Sequence, residues 1–383
     1  MKVFILAGEP SGDRLGGALM AGLKELRLDV TFDGIGGPQM MGQGLESRFD
    51  MDELSVMGLA EILPKYRALM ARINETAQAG IDTAPDVLIT IDSPDFSLRV
   101  ARKVKEKSNI RIVHYVAPTV WAWRPGRAEK MARYVDHVLA LFPFEPPYME
   151  AAGMACDFVG HPVVAEPLAD DAEAAAFRAE HHLSDAPLLL VLPGSRRGEV
   201  TRLAPVFQQV VARLVEAEPS LRVVVPAASP VAALVKQATR NWAGKPVVLD
   251  PREQEAEVFA ARKRAAFRAA DVALAASGTV SLELAAVSTP MVIAYDMSWI
   301  SRQIIGRMLR VDTVTLVNLV SESRTVPEFI GANCRPGPIA EGVLRVLRAP
   351  GAQKDAMALT MERLGRGGEA PGLRAARAVL ARL

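Results

Sequence analysis

The feature that most constrains this chain is a repeated join: a short apolar run, a few small residues, then a helical stretch. Val3–Ala7 leads into Gly8-Glu9-Pro10-Ser11-Gly12-Asp13 and an amphipathic stretch, Leu15–Leu26. Val30–Ile35 ends in Gly36-Gly37, and Asp86–Ile91 ends in Asp92-Ser93-Pro94-Asp95. Arg111–Val116 and Val135–Leu141 are further runs, and Met57–Ala79 and Phe96–Lys107 have helical composition. Runs with no polar alternation are strands buried on both faces, which calls for parallel sheets covered by helices. A break with two prolines and two aspartates spans Gly160–Asp171, and the pattern then restarts. Leu188–Leu192, Arg222–Pro226, Pro246–Leu249, Asp271–Ala276 and Pro290–Tyr295 are its strands, with a helix over Leu203–Ala217. The expectation is an α/β chain of two doubly wound, Rossmann-like halves joined near residue 165. The Ala/Arg/Leu-rich remainder from Gly337 onward reads as helical.

Composition narrows the function classes. At roughly 150 residues per domain, 383 residues allow two or three domains. Half of the residues are hydrophobic, 23% are charged, and 45 basic against 44 acidic residues give +1. That excludes disorder and a nucleic-acid binder driven by bulk charge. No apolar run approaches the roughly 18 residues of a membrane span. Two cysteines, Cys156 and Cys334, exclude a disulfide framework, and the five histidines are scattered, so no metal site is expected. The chain enters a strand straight after Lys2 with no signal-peptide pattern, so the cytoplasm is the expected compartment.

In open α/β sheets, ligands bind beyond the carboxyl ends of the strands. The Gly8–Asp13 turn matches neither the dinucleotide nor the P-loop pattern; its small residues admit a ligand, while Ser11 and Asp13 can cap the next helix. Pro193-Gly194-Ser195-Arg196-Arg197-Gly198-Glu199 joins a strand to a helix start bearing two arginines, an anion site with phosphate as the natural guess. Ala276-Ser277-Gly278-Thr279 is a third such turn. Glu283, one turn into the helix, is placed to accept hydrogen bonds from a ribose diol. Asp92 and Asp95 are general-base candidates, with capping as the plainer role for Asp95. Asp50-Met51-Asp52 is an isolated pair of the kind that can hold a metal, but it follows no strong strand and reads as chance.

Two stretches look suited to a surface. Leu54–Ile73 carries Val56, Met57, Leu59, Ile62, Leu63, Tyr66 and Met70, more apolar area than one buried helix face needs. Trp299–Leu309 mixes Trp299 and aliphatic residues with Arg302 and Arg307, a pattern fit for an anionic membrane surface. Arg124, Arg127, Lys130 and Arg133 recur every three residues as a basic stripe.

Taken together these residues resemble the lipid-A-disaccharide synthases over nearly the whole chain. The likeness rests on Ala7–Asp13, Gly34-Ile35-Gly36-Gly37, Asp92-Ser93-Pro94-Asp95-Phe96, Tyr115–Arg124 with its Trp121-Ala122-Trp123-Arg124, and Gly160-His161-Pro162. It continues through Leu192–Arg196, Ser277-Gly278-Thr279 with Glu283, and Asn318-Leu319. The resemblance implies an inverting glycosyltransferase of the GT-B architecture, two Rossmann-like domains facing a central cleft with a helical C-terminal segment. The implied divisions are an acceptor-lipid domain over 1–165, a UDP-sugar domain over 166–340, and a segment 341–383 packing back on the first domain or on a partner subunit. The reaction would move 2,3-diacylglucosamine from its UDP conjugate to 2,3-diacylglucosamine 1-phosphate, without metal or cofactor. Asp95 would be the base, with Ser11 and Glu9 beside it. Gly194, Ser195, Arg196, Ser277, Gly278, Thr279, Glu283 and Asn318, placed near a strand end, would hold the donor. Val56, Met57, Leu59, Ile62, Leu63, Met70 and Trp299 would meet acyl chains or the membrane, placing the enzyme on the cytoplasmic face of the inner membrane. A homodimer with exchanged C-terminal elements is associated with the family. Where the family usually has glutamine, Gly331-Ala332-Asn333-Cys334 stands here, so that donor contact does not carry over, and Asn333 is the candidate substitute.

Two other readings compete. A UDP-sugar 2-epimerase or another UDP-GlcNAc transferase could share this fold, but a water-soluble substrate would not need the apolar stretch 54–73. A non-enzymatic nucleotide or lipid binder would not need two phosphate turns and a carboxylate together.

Overall fold

The computed structural model describes residues 1–55, 62–124, 126–183, 186–297, 303 and 311–383, with the backbone alone at Ser55 and 62–65. The chain forms two units, Met1–Ala165 with Leu364–Leu383, and Glu166–Arg363. Each is built on one six-stranded parallel sheet.

In the first unit the strands are β1 (Lys2–Ala7), β2 (Thr31–Ile35), β3 (Val87–Ile91), β4 (Arg111–Tyr115), β5 (His137–Ala140) and β6 (Ala155–Phe158), ordered 2-1-3-4-5-6. In the second they are β7 (Leu188–Leu192), β8 (Arg222–Pro226), β9 (Val247–Leu249), β10 (Val272–Ala275), β11 (Met291–Tyr295) and β12 (Glu328–Ile330), ordered 12-11-10-7-8-9. All ten apolar runs contain a strand. The central ones are buried at every residue, as in Val-Leu-Ile-Thr-Ile of β3 and Leu-Leu-Leu-Val-Leu of β7. The sequence reading missed β6 and β12, each at a sheet edge. An edge strand is paired on one side only and needs no continuous apolar run, and both are largely half-buried.

The two sheets share one topological feature. β1 lies between β2 and β3, so the chain leaves β1 toward one side and later returns on the other. β7 lies in the same way between β8 and β10. The turns after β1 and β3, and those after β7 and β10, therefore flank the switch points where ligands bind in such sheets.

The Ala/Arg/Leu-rich tail divides between the units. Helices Pro336–Arg348 and Gly351–Arg363 belong to the second, whereas Pro371–Leu380 packs on Pro10–Leu26 of the first. Their approach is close enough to require glycine: a Cβ at Gly372 would lie 2.5 Å from the Ala18 carbonyl oxygen, and one at Gly22 would lie 2.8 Å from the Gly372 oxygen. Polar ties complete the seat. Arg374 donates to the Phe158 carbonyl at 2.9 Å, and Arg382 grips Asp157, whose other contact is Nε2 of buried His137 at 2.8 Å.

Candidate active-site turns

The first turn closes β1. Pro10 opens the helix and suits a position whose N–H would be unpaired anyway. Ser11 is exposed, and no side chain caps this helix start, so the capping expected of Ser11 and Asp13 is not made there. Asp13 is buried and reaches across to the next glycine turn instead. Its carboxylate accepts the amides of Gly37 at 2.8 Å, Gln39 at 2.9 Å and Met40 at 3.0 Å, capping the short helix Pro38–Met41. Glu9 is exposed and accepts a hydrogen bond from Ser93 Oγ at 3.2 Å, linking the β1 turn to the β3 turn.

The β3 turn is the most strained part of this edge. Asp92 and Ser93 have φ of 45° and 43°, the left-handed region that few non-glycine residues adopt. Two such residues in succession cost on the order of 1–3 kcal/mol each and tend to mark functional sites. The Ser97 hydroxyl holds the turn from below, donating to the carbonyls of Asp92 and Ser93. Asp92 is half-buried, and burial pushes its carboxyl above the ordinary carboxylate range. Asp95 is exposed and, among the described residues, makes no ion pair or side-chain hydrogen bond. It does not cap the following helix, whose N-cap is Phe96.

Beyond β4, Val116 has φ of 84°, an outlier for a β-branched residue. The Trp121–Arg124 segment that follows is anchored by one buried carboxylate. Glu145 accepts hydrogen bonds from Trp121 Nε1 at 3.3 Å, Leu141 N at 3.1 Å and Phe142 N at 3.0 Å, and burial pushes it up to about 7. Trp121 packs edge-on to Phe144, Phe144 stacks on Phe142, and the Phe142 ring lies 5.4 Å from that of His161. Burial lowers His161 to about 4, which keeps it neutral. Trp123 donates to Thr119 and carries the Arg124 guanidinium over its ring at 4.3 Å. Glu145 was not singled out from the sequence; the available signal was an acidic residue among aromatics and prolines, Phe142-Pro143-Phe144-Glu145-Pro146.

In the second unit, the β7 turn has Gly194 at φ of 112° and the helix Arg197–Ala217 starting after Arg196. Two amides leading into the helix, at the expected seat of a phosphate, are occupied. Glu199 Oε2 accepts from Ser195 N at 3.0 Å and Arg196 N at 3.2 Å, and Oε1 lies 3.3 Å from Arg196 Nη1. The β10 turn is more open: Gly278 has φ of 136°, is exposed, and a Cβ there would meet nothing within 4 Å. Ser277 is half-buried and Thr279 exposed, and both side chains are without a hydrogen-bond partner among the described residues. Glu283 is not an open carboxylate, because Lys263 of the helix Ala256–Ala269 pairs with it at 2.7 Å.

Asn318 sits in a helix, Leu316–Ser321, not near a strand end. It is buried, and its amide is engaged by Thr313 Oγ1 at 3.2 Å, the Val326 carbonyl at 2.9 Å and the Val326 amide at 3.0 Å. Asp50 of the Asp-Met-Asp pair accepts from Asp52 N at 2.9 Å, a local cap. Among the surface residues, Leu54 and Ile73 are core, Tyr66 is exposed, and the Met70 sulfur accepts from Arg99 at 3.5 Å. Val56, Met57, Leu59 and Trp299 lie outside the described residues, as do the side chains of Ile62 and Leu63. Among the described residues no helix is long and apolar enough to cross a membrane.

Comparison with known proteins separates the readings that the fold leaves open. A solved UDP-GlcNAc 2-epimerase from Neisseria meningitidis, bound to UDP-GlcNAc, superposes with a TM-score of 0.63 over 100% of this chain and 99% of its own, at 12% identity. That likeness shows the fold alone. Sequence similarity goes further. The lipid-A-disaccharide synthase of Ruegeria pomeroyi is 66% identical over 100% of this chain and 96% of its own length. That of Rhodospirillum centenum is 46% identical over 99% and 94%. The family model described as lipid-A-disaccharide synthetase matches residues 3–371, through the strained β3 turn, the Gly194 and Gly278 turns and the C-terminal helices of the second unit. The chain belongs to the lipid-A-disaccharide synthase family, glycosyltransferases of lipid A biosynthesis on a two-Rossmann, GT-B fold.

Proposed function

We propose that the chain transfers 2,3-diacylglucosamine from UDP-2,3-diacylglucosamine to the 6-hydroxyl of 2,3-diacylglucosamine 1-phosphate, giving lipid A disaccharide 1-phosphate and UDP. The observation that carries this reading is the family match across residues 3–371. On this reading the first unit takes the acceptor lipid and the second takes the UDP-sugar. An inverting displacement needs one base. It removes the hydroxyl proton as that oxygen bonds to the sugar C1 and the bond from C1 to the diphosphate breaks. Asp95, read from the sequence, is exposed and unengaged; Asp92 has the environment of a base, half-buried on a strained turn with its carboxyl raised by burial. The geometry favours Asp92 as the base, with Glu9 and Ser93 beside it and Ser11 exposed in the neighbouring turn. Charge growing on the leaving diphosphate would be met by Arg196 and by the Ser277–Thr279 turn, with no metal in the step. Glu283 would accept the ribose hydroxyls after leaving Lys263. Asn318 would act indirectly, by pinning Val326 just ahead of β12.

The membrane is the proposed source of both lipids, reached from the cytoplasmic face of the inner membrane. Exposed Tyr66, with Arg99 over its ring at 6.0 Å, supports this. Sedimentation with anionic vesicles at low salt, and release at high salt, is the expected result. A homodimer would exchange the segment 364–383, and sedimentation velocity tests it.

The deciding experiment is mass spectrometry of products from the two diacylglucosamine substrates. A disaccharide 1-phosphate forming with stoichiometric UDP supports the reading. Epimerised UDP-sugar without acceptor consumption would replace it with the epimerase alternative.

A further inference from the structure

The β7 turn carries an anion of its own. Glu199 is 14% exposed and Arg196 82%, so a largely buried carboxylate sits beneath a guanidinium in solvent. The sequence provides for this seat: a Cβ at residue 194 would fall 2.5 Å from Glu199 Oε2 and 2.6 Å from Glu199 Cβ. Any side chain there would expel the carboxylate, so Gly194 clears space for Glu199 and not for a ligand. The carboxylate uses the Ser195 and Arg196 amides and one guanidinium N–H. Arg196 has five donors, and among the described residues the other four make no hydrogen bond. Displacing Glu199 would strip a partly buried carboxylate of its donors and set it beside a second anion, and both effects oppose exchange.

We propose that Glu199 is a positioning residue for donor binding. It closes the Ser195 and Arg196 amides and holds the Arg196 guanidinium, so at these two residues the turn meets the donor's diphosphate through the side chain and not through the backbone. The proposal rests on the reading that the second unit binds the UDP-sugar. It gives the two turns of this sheet different duties: the β7 turn supplies a held cation, and the β10 turn, with its open Gly278, supplies close backbone approach.

The test is calorimetric binding of UDP and of uridine to the full-length protein, with donor and acceptor KM measured alongside. Arg196→Ala is expected to weaken UDP tenfold or more and to leave uridine unchanged. Glu199→Ala is expected to weaken UDP about tenfold, again without moving uridine or the acceptor KM. In the Arg196→Ala background the same substitution is expected to do nothing further. Glu199→Gln keeps an acceptor for the amides but turns a donor NH2 toward the guanidinium, so it is expected to weaken UDP nearly as much as Glu199→Ala. If Glu199→Ala fails to fold, Glu199→Asp, which shortens the reach, must weaken UDP only when Arg196 is present. Tighter UDP binding in Glu199→Ala overturns the proposal, because the diphosphate would then be using the freed amides. So do additive losses in the double variant, which would make Glu199 independent of Arg196. Wild type that binds no UDP would overturn the donor reading itself, an outcome distinct from either.

Discussion

The two switch points have the same strand geometry and opposite electrostatics. Where β1 meets β3, Glu9 is held by a serine hydroxyl, and Asp95 makes no ion pair among the described residues. Where β7 meets β10, each carboxylate has a cation in contact, Arg196 on Glu199 and Lys263 on Glu283. A sheet edge that presents unneutralised carboxylates suits proton removal from a neutral hydroxyl. One whose carboxylates are neutralised, with a guanidinium to spare, suits an anionic substrate. On the proposed reading, one fold repeated in a chain would supply base and anion site through which side chains the turns carry, in keeping with the separation of fold from function.

The comparison breaks first at the carboxylates of the β3 turn. Asp92→Asn is expected to lower kcat by about 10²–10⁴, the loss for a removed general base, with UDP binding unchanged in calorimetry. Asp95→Asn is expected to keep kcat within about tenfold. The pH profile gives an independent sign. A base works only when ionised, and burial raises the Asp92 carboxyl. The acid limb of kcat/KM should therefore lie above that of an ordinary aspartate, with activity lost as pH falls through it. Asp95→Asn should leave that limb in place. If instead Asp95→Asn abolishes turnover, the exposed carboxylate is the base and strain at Asp92 has another purpose.

Next in size is a carboxylate that looks like part of the site and is not. Asp13→Ala leaves the amides of Gly37, Gln39 and Met40 without their acceptor, the first and last in buried surroundings. At about 1–3 kcal/mol for each buried donor left unsatisfied, the loss should be about 3 kcal/mol of stability. Chemical denaturation reads it directly, and UDP affinity at low temperature should not move. Arg196→Ala in the second unit should do the reverse. Its side chain is 82% exposed, so the melting temperature should hold while UDP binding weakens. A common fate for these two variants would erase the difference between the switch points.

These cases show what could be read from the sequence. Central strands were legible because burial on both faces forces unbroken apolar runs, as in β1, β3 and β7. β6 and β12 were not, since an edge strand has no such demand. The turns were legible as places, but the partners of their side chains were not. Asp13 and its amide donors are more than 20 residues apart, and nothing local announces that reach. Glu199 and a bound phosphate would satisfy the same two amides, so residue types alone cannot say which anion is present. Asn318 reads as a polar ligand, whereas its amide is taken up by the Val326 backbone eight residues on.

The smallest effect tests whether the neutralised carboxylates of the second unit are held in reserve or locked. Lys263 and Glu283 are each 35% exposed, and a pair so open to water contributes about 0–1 kcal/mol. Lys263→Met should therefore change stability little. It releases Glu283 to accept ribose hydroxyls, so affinity for UDP and for uridine should rise together, by about two- to fivefold for an interaction of that size. Calorimetry with both ligands separates the outcomes. A parallel gain assigns Glu283 to the ribose and makes Lys263 a partner that the donor displaces. A loss for UDP with no change for uridine would place Lys263 on the phosphates. Three cations would then serve the anion in the second unit, counting Arg196 and Arg197, and the contrast with the carboxylate-bearing turns of the first would be wider than the ion pairs alone suggest.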